Sequence, residues 1–82
     1  MHLEYDPEAD AIYVQFRKPV GKVETEFIDD ARYVDYDEAE NVIGVEILGV
    51  SQGIDLNGLP EADRIAEMLN AIPRPTAPTV TR

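Results

Sequence analysis

A single carboxylate, Glu46, interrupts the otherwise apolar run from Val42 to Val50. Of all the side chains here it is the one best suited to acid–base chemistry. A carboxyl group buried in such a strand loses solvation, its pKa rises, and it can exchange a proton near neutral pH. The competing arrangement places Glu46 on a wet face, or in an ion pair with Lys22, Arg17 or Arg32 from a neighbouring strand. A catalytic carboxylate needs partners in a cleft, and the sequence names none, so the second arrangement is favoured.

Other reactive types are sparse. Asp6, Glu8 and Asp10 alternate like the first ligands of a calcium loop, but the sixth and twelfth positions hold Ala11 and Arg17 where glycine and a bidentate glutamate belong. A solvated hairpin turn accounts for these acids better. A weak divalent site would require this acidic turn and a second one, Asp37-Glu38-Ala39-Glu40, to share one edge of a sheet. His2 stands alone near the terminus and reads as a strand-surface residue. Ser51 is the sole serine, cysteine is absent, and no GxSxG, P-loop, GxGxxG or HExxH motif occurs. No catalytic, cofactor-binding or metal-ligating residue is assigned, and the chain reads as a protein without enzymatic machinery. Tyr5, Tyr13, Tyr33 and Tyr36 could stack on bases, but without a basic groove they fit a sheet or an interface better.

The elements that position these residues are strands. Tyr5-Asp6 and Tyr36-Asp37 each close an apolar segment, an acidic loop reverses the chain, and Ala11 or Val42 opens the next segment. Asp6 can accept hydrogen bonds from its own downstream backbone, and Pro7 presets the turn. The pattern predicts strands over residues 2–5, 11–17, 22–28, 31–36 and 42–50, with a turn at Lys18-Pro19-Val20-Gly21. Ile12, Val14 and Phe16 share one face. Val23, Thr25 and Phe27 alternate with Lys22, Glu24 and Glu26, which predicts a strand with one wet face. The run 42–50, apolar on both faces apart from Glu46, is expected at the centre of the sheet or in an oligomer contact. Gly44 and Gly49 inside it point to a bulge or a close backbone approach.

After Ser51 the period changes. Ala62, Ile65, Ala66, Leu69 and Ile72 recur at helical spacing, Pro60 suits a first turn, and Pro73 ends the element. A helix over 60–72 is expected to lie across one face of the sheet. The preceding loop, residues 51–58, carries two glycines and serves either a binding role or a crossover. Residues 73–82 form a Pro/Thr tail without acids, expected to be disordered or polyproline-like. The fold class is therefore α+β: a small five-stranded antiparallel sheet of meander and hairpin type, with one C-terminal helix packed on a face. Residues 1–72 make the single domain and 73–82 the tail.

A core this small leaves little surplus stability, and without cysteine no disulfide can supplement it, so a homodimer is expected. The formal charge of −10 is concentrated in residues 1–50, with 13 acids against 4 bases, while residues 51–82 hold 4 against 3. Such a surface repels nucleic acid, whose binding rests on phosphate neutralisation. It speeds encounter with a basic protein, and it also serves solubility and edge protection. No leader-like N-terminus is present, and the longest apolar run falls far short of the roughly 20 residues that span a bilayer. A cytoplasmic protein that avoids membranes is expected.

Three segments together carry a resemblance. Tyr5-Asp6-Pro7-Glu8-Ala9-Asp10-Ala11-Ile12-Tyr13-Val14, then Val34-Asp35-Tyr36-Asp37, then Val42-Ile43-Gly44-Val45-Glu46-Ile47-Leu48 resemble the bacterial and archaeal domain-of-unknown-function family DUF2283 over about residues 3–51. The resemblance implies a small antiparallel sheet followed by a helix, with no assigned activity and no catalytic residues to carry over. Some relatives are encoded beside small toxin-like proteins, which implies an antitoxin role. The functional expectation is an acidic protein-interaction module, an antitoxin-like neutraliser of a basic partner. The alternative is a small-ligand or divalent-metal-binding domain, or a weak enzyme, using Glu46.

Overall fold

The computed structural model describes residues 1–71 and 80–81. Five strands form one antiparallel sheet: β1 (His2–Asp6), β2 (Ala11–Gln15), β3 (Glu24–Asp29), β4 (Arg32–Tyr36) and β5 (Val42–Leu48). A single 3₁₀ turn (Val50–Gln52) leads to β6 (Ile54–Asp55), then to α1 (Ala62–Asn70) and β7 (Val80–Thr81). The expected α+β class, with five antiparallel strands and a C-terminal helix, is the observed one.

Strand order, which the sequence leaves open, is β1-β2-β5-β4-β3. β5 is central, as its two apolar faces require. The segment at Lys18–Gly21 is therefore no hairpin turn. It carries the chain from β2 across the end of the sheet, past β5 and β4, to β3 at the far edge. Asp37 fastens this crossover: its Oδ2 accepts the Val20 N–H at 3.0 Å, and Val20 O accepts the Glu38 N–H at 3.4 Å.

The core lies between the sheet and α1. Ile12, Val14 and Phe16 from β2 and its end, Val34 from β4, and Val45 and Ile47 from β5 pack with Ile65, Ala66 and Leu69 of the helix. Thus Ala62, Ile65, Ala66 and Leu69 of the expected stripe face the sheet, while its last member, Ile72, lies outside the described residues. Residues 50–59, which include the glycine loop expected over 51–58, contribute Val50, Ile54, Leu56 and Leu59 to the same core. That segment is a structural wall, not an open loop. A helix of nine residues is marginal alone in water, so its stability comes from this buried face.

Two further expectations need correction. The helix begins at Ala62, not at Pro60, because Glu61 adopts a left-handed conformation (φ 55) that no α-helix propagates. β3 has both faces wet: Glu24, Thr25, Glu26 and Phe27 are all exposed, since this edge strand lies outside the cover supplied by α1 and residues 50–59. Only Ile28, at which the register shifts, packs against the core. Most of the tail over 73–82 lies outside the described residues. Val80–Thr81, however, pair in parallel with Ile54–Asp55, a ladder the composition of the tail gave no sign of.

Candidate functional site

Alternation along the central strands puts the apolar set under α1 and leaves the intervening residues on the opposite face of the sheet, which the helix does not cover. Strand register aligns that face into rows. One row runs across all five strands as Glu4, Tyr13, Glu46, Tyr33, Phe27. The row beside it reads His2, Gln15, Gly44, Asp35, Thr25. Neither row contains a lysine or arginine.

Tyr13 ties the two rows together. Its hydroxyl crosses Gly44 and donates to Asp35 Oδ2 at 2.9 Å, while the Thr25 hydroxyl donates to Asp35 Oδ1 at 2.6 Å. Four strands are thereby linked on one surface. The crossing explains Gly44: a Cβ there would lie 2.6 Å from Tyr13 Cζ and 2.7 Å from the Val14 carbonyl oxygen. The close backbone approach expected at this glycine is thus a side chain laid across it. Partial burial, then the hydrogen bond to Asp35 and the nearby Asp35 and Glu46 carboxylates, push the Tyr13 phenol up to about 12. Tyr13 is consequently a fixed hydrogen-bond donor at physiological pH rather than a base or nucleophile.

Glu46 sits half-buried between Tyr13 and Tyr33 on this face. None of the three cations considered from sequence meets it. Arg17 reaches Val42 O and Glu61. Arg32 binds Asp29 at 2.9 Å and the carbonyls of Asp55 and Asn57 at 3.2 and 2.5 Å, clasping β4 to β6 and the turn after it. The hydrogen bond to Arg32, with the Ala31 N–H, holds the Asp29 carboxyl below its usual range. Beyond Tyr33, the Phe27 ring stands 4.8 Å from the Tyr33 ring at an interplanar angle of 41°. Phe27 is 74% exposed, a high value for a large apolar side chain.

The acidic turns are structural. Asp6 Oδ1 accepts the Glu8 and Ala9 N–H groups. Asp37, only 6% exposed, accepts from Val20, Ala39 and Asn41 backbone and from Asn41 Nδ2. Burial pushes the Asp37 carboxyl upward, but the bonds donated by Val20, Asn41 and Ala39 outweigh it and hold that carboxyl below the ordinary range. The two turns flank opposite ends of seven-residue β5, about 20 Å apart at ~3.3 Å per residue, so they cannot share a cation. Among the described residues no group of three or more His, Asp or Glu is arranged to hold a metal. Ser51 acts as a clamp: its N–H and hydroxyl both donate to the Asp10 carboxylate, at 2.8 and 2.7 Å. His2 Nε2 lies 3.1 Å from Glu4 Oε1 on the exposed β1 edge.

This arrangement sets aromatic and acidic side chains side by side on the sheet face that the helix leaves uncovered. It carries aromatic rings and carboxylates that no Lys or Arg of these rows offsets. Sequence reasoning singled out Glu46 and the tyrosines but missed Asp35, Thr25 and Phe27 as their neighbours. That grouping depends on the order β2-β5-β4-β3, which no local pattern encodes. Among the described residues no helix is long and apolar enough to cross a membrane. Residues 2–51 match the model of a protein family described as of unknown function, DUF2283, and the chain belongs to that family. No curated protein and no solved structure matches it.

Proposed function

We propose that this DUF2283 protein is a non-catalytic acidic interaction module that docks a basic protein partner on the sheet face turned away from α1. Neutralising that partner, as an antitoxin does a basic toxin, is the specific form of the role. The observation that carries the reading is the row Glu4, Tyr13, Glu46, Tyr33, Phe27, in which acids and aromatics occupy every position and no cation intervenes. Aromatic rings supply contact area and cation–π attraction for Lys and Arg, while the carboxylates steer a basic surface into register. The partner, rather than a second copy, is the fitting occupant, because a second copy would bring the same carboxylates.

The test is capture of proteins from the native host at low salt by the wild-type chain and by Glu4→Lys/Glu46→Lys. The reading expects basic proteins that elute as salt rises and that the double variant fails to retain. A captured set indifferent to both salt and charge reversal would refute it.

A further inference from the structure

Resting on the interaction-module reading, we propose that the partner supplies an extended basic segment that pairs with the outer edge of β3 as a sixth strand. β3 is last in the sheet order, and among the described residues no strand lies on its outer side. An edge strand presents a row of unpaired N–H and C=O groups, which proteins ordinarily blunt with Pro, Lys or a covering element. Glu24–Asp29 contains neither Pro nor Lys, and its first four residues are exposed. Its one irregularity, the register shift between Phe27 and Asp29, falls at its end. The edge is open along most of its length.

The chemistry of the added strand follows from the pleat. Thr25 and Phe27 point to the open face, and Glu24 and Glu26 to the other. A segment alternating apolar and basic residues sets its apolar side chains beside Phe27 and its Lys or Arg beside the glutamates. A groove of about 300 Å³ next to the edge, lined by Glu24, Glu26, Tyr36 and Glu40 among others, can receive one such cation. Main-chain pairing provides affinity in this mode of recognition, and the alternate side chains provide selectivity. A second copy of this chain would set Glu24 and Glu26 against their own kind, and a nucleic-acid strand would meet the same repulsion.

The experiment maps backbone amide shifts of the full ¹⁵N-labelled chain on titration with three capped peptides of equal composition. One alternates Lys and Val, one carries them in separate blocks, and one alternates but is N-methylated at every second residue. The proposal expects the alternating peptide to perturb residues 24–29 most. It expects N-methylation, Phe27→Asp and Glu24→Lys/Glu26→Lys each to weaken that binding about tenfold or more. Phe27 is a surface residue, so its variant keeps the fold. Binding that ignores N-methylation, or that shifts residues 13 and 46 but not 24–29, overturns strand addition while leaving the acidic module intact. Failure of every peptide to bind overturns both. Peptide-free self-association protecting the amides of β3 overturns the proposal in favour of a second copy.

Discussion

At the residue scale, the Tyr13–Gly44–Asp35 contact is the most constrained feature of the open face. Gly44→Ala forces the phenol off Asp35 or pushes the β2 backbone away, at about 1–3 kcal/mol for an overpacked site. The same change releases Tyr13 from its partner, so its titration moves from about 12 back toward that of an ordinary tyrosine. Spectrophotometric titration of the wild type, Gly44→Ala and Tyr13→Phe reads this directly; Tyr13→Phe removes the transition at about 12. The sign follows from the raised folded value. Stability contributed by the protonated phenol is complete below about pH 10, the unfolded tyrosine value, and is lost as pH rises through about 12.

Asp37 behaves in the opposite sense. Its carboxyl is held low when folded, so its contribution is present above the ordinary aspartate range and disappears as pH falls through the depressed value. Four hydrogen bonds converge on it, one from the crossover, whereas Asp6 serves only its own turn. Thermal melts should therefore show Asp37→Ala losing more stability than Asp6→Ala at neutral pH, with the gap narrowing in acid. Equal losses would mean that the crossover is not held by this carboxylate.

At the element scale, the buried core and the proposed recognition surface lie on different faces of the same strands. Leu69 is fully buried against the sheet, and Leu69→Ala should cost about 2–5 kcal/mol by chemical denaturation. Leu56→Ala should cost a similar amount, because residues 50–59 close the core beside α1. Phe27→Ala removes more apolar volume, yet should change stability by only about 0.5 kcal/mol, as at other exposed sites. A large loss at Phe27 would place it in the fold's own packing rather than on a docking surface.

This scale also shows what the sequence made legible. The two Tyr-Asp corners, the Ile12–Val14–Phe16 face, the central place of the 42–50 run and the helical stripe over 62–69 all follow from local pattern, and the structure holds each of them. The faces of β3 did not follow. Strict alternation of Val23, Thr25 and Phe27 with acids reads as half-buried, but burial depends on what lies above a strand, and here nothing described does. The core role of Ile54, Leu56 and Leu59 was hidden by the two glycines around them. The β6–β7 ladder was hidden by the Pro and Thr that dominate residues 73–82.

At the scale of the whole molecule, the charge of −10 gains a direction. Arg17, Arg32 and Arg64 are engaged by Glu61, Asp29 and backbone carbonyls. The rows opposite α1 hold Glu4, Asp35 and Glu46 with no cation between them. In the proposed role, long-range attraction of a basic partner joins an aromatic face on which it settles, while the helix side keeps the fold together.

Carboxyl footprinting of the chain with and without a captured basic partner tests that division most directly. The account predicts that Glu4 and Glu46 become protected from carbodiimide labelling while Glu67, exposed on α1, stays reactive. Protection at Glu67, with Glu4 and Glu46 as reactive as in the free chain, would contradict it.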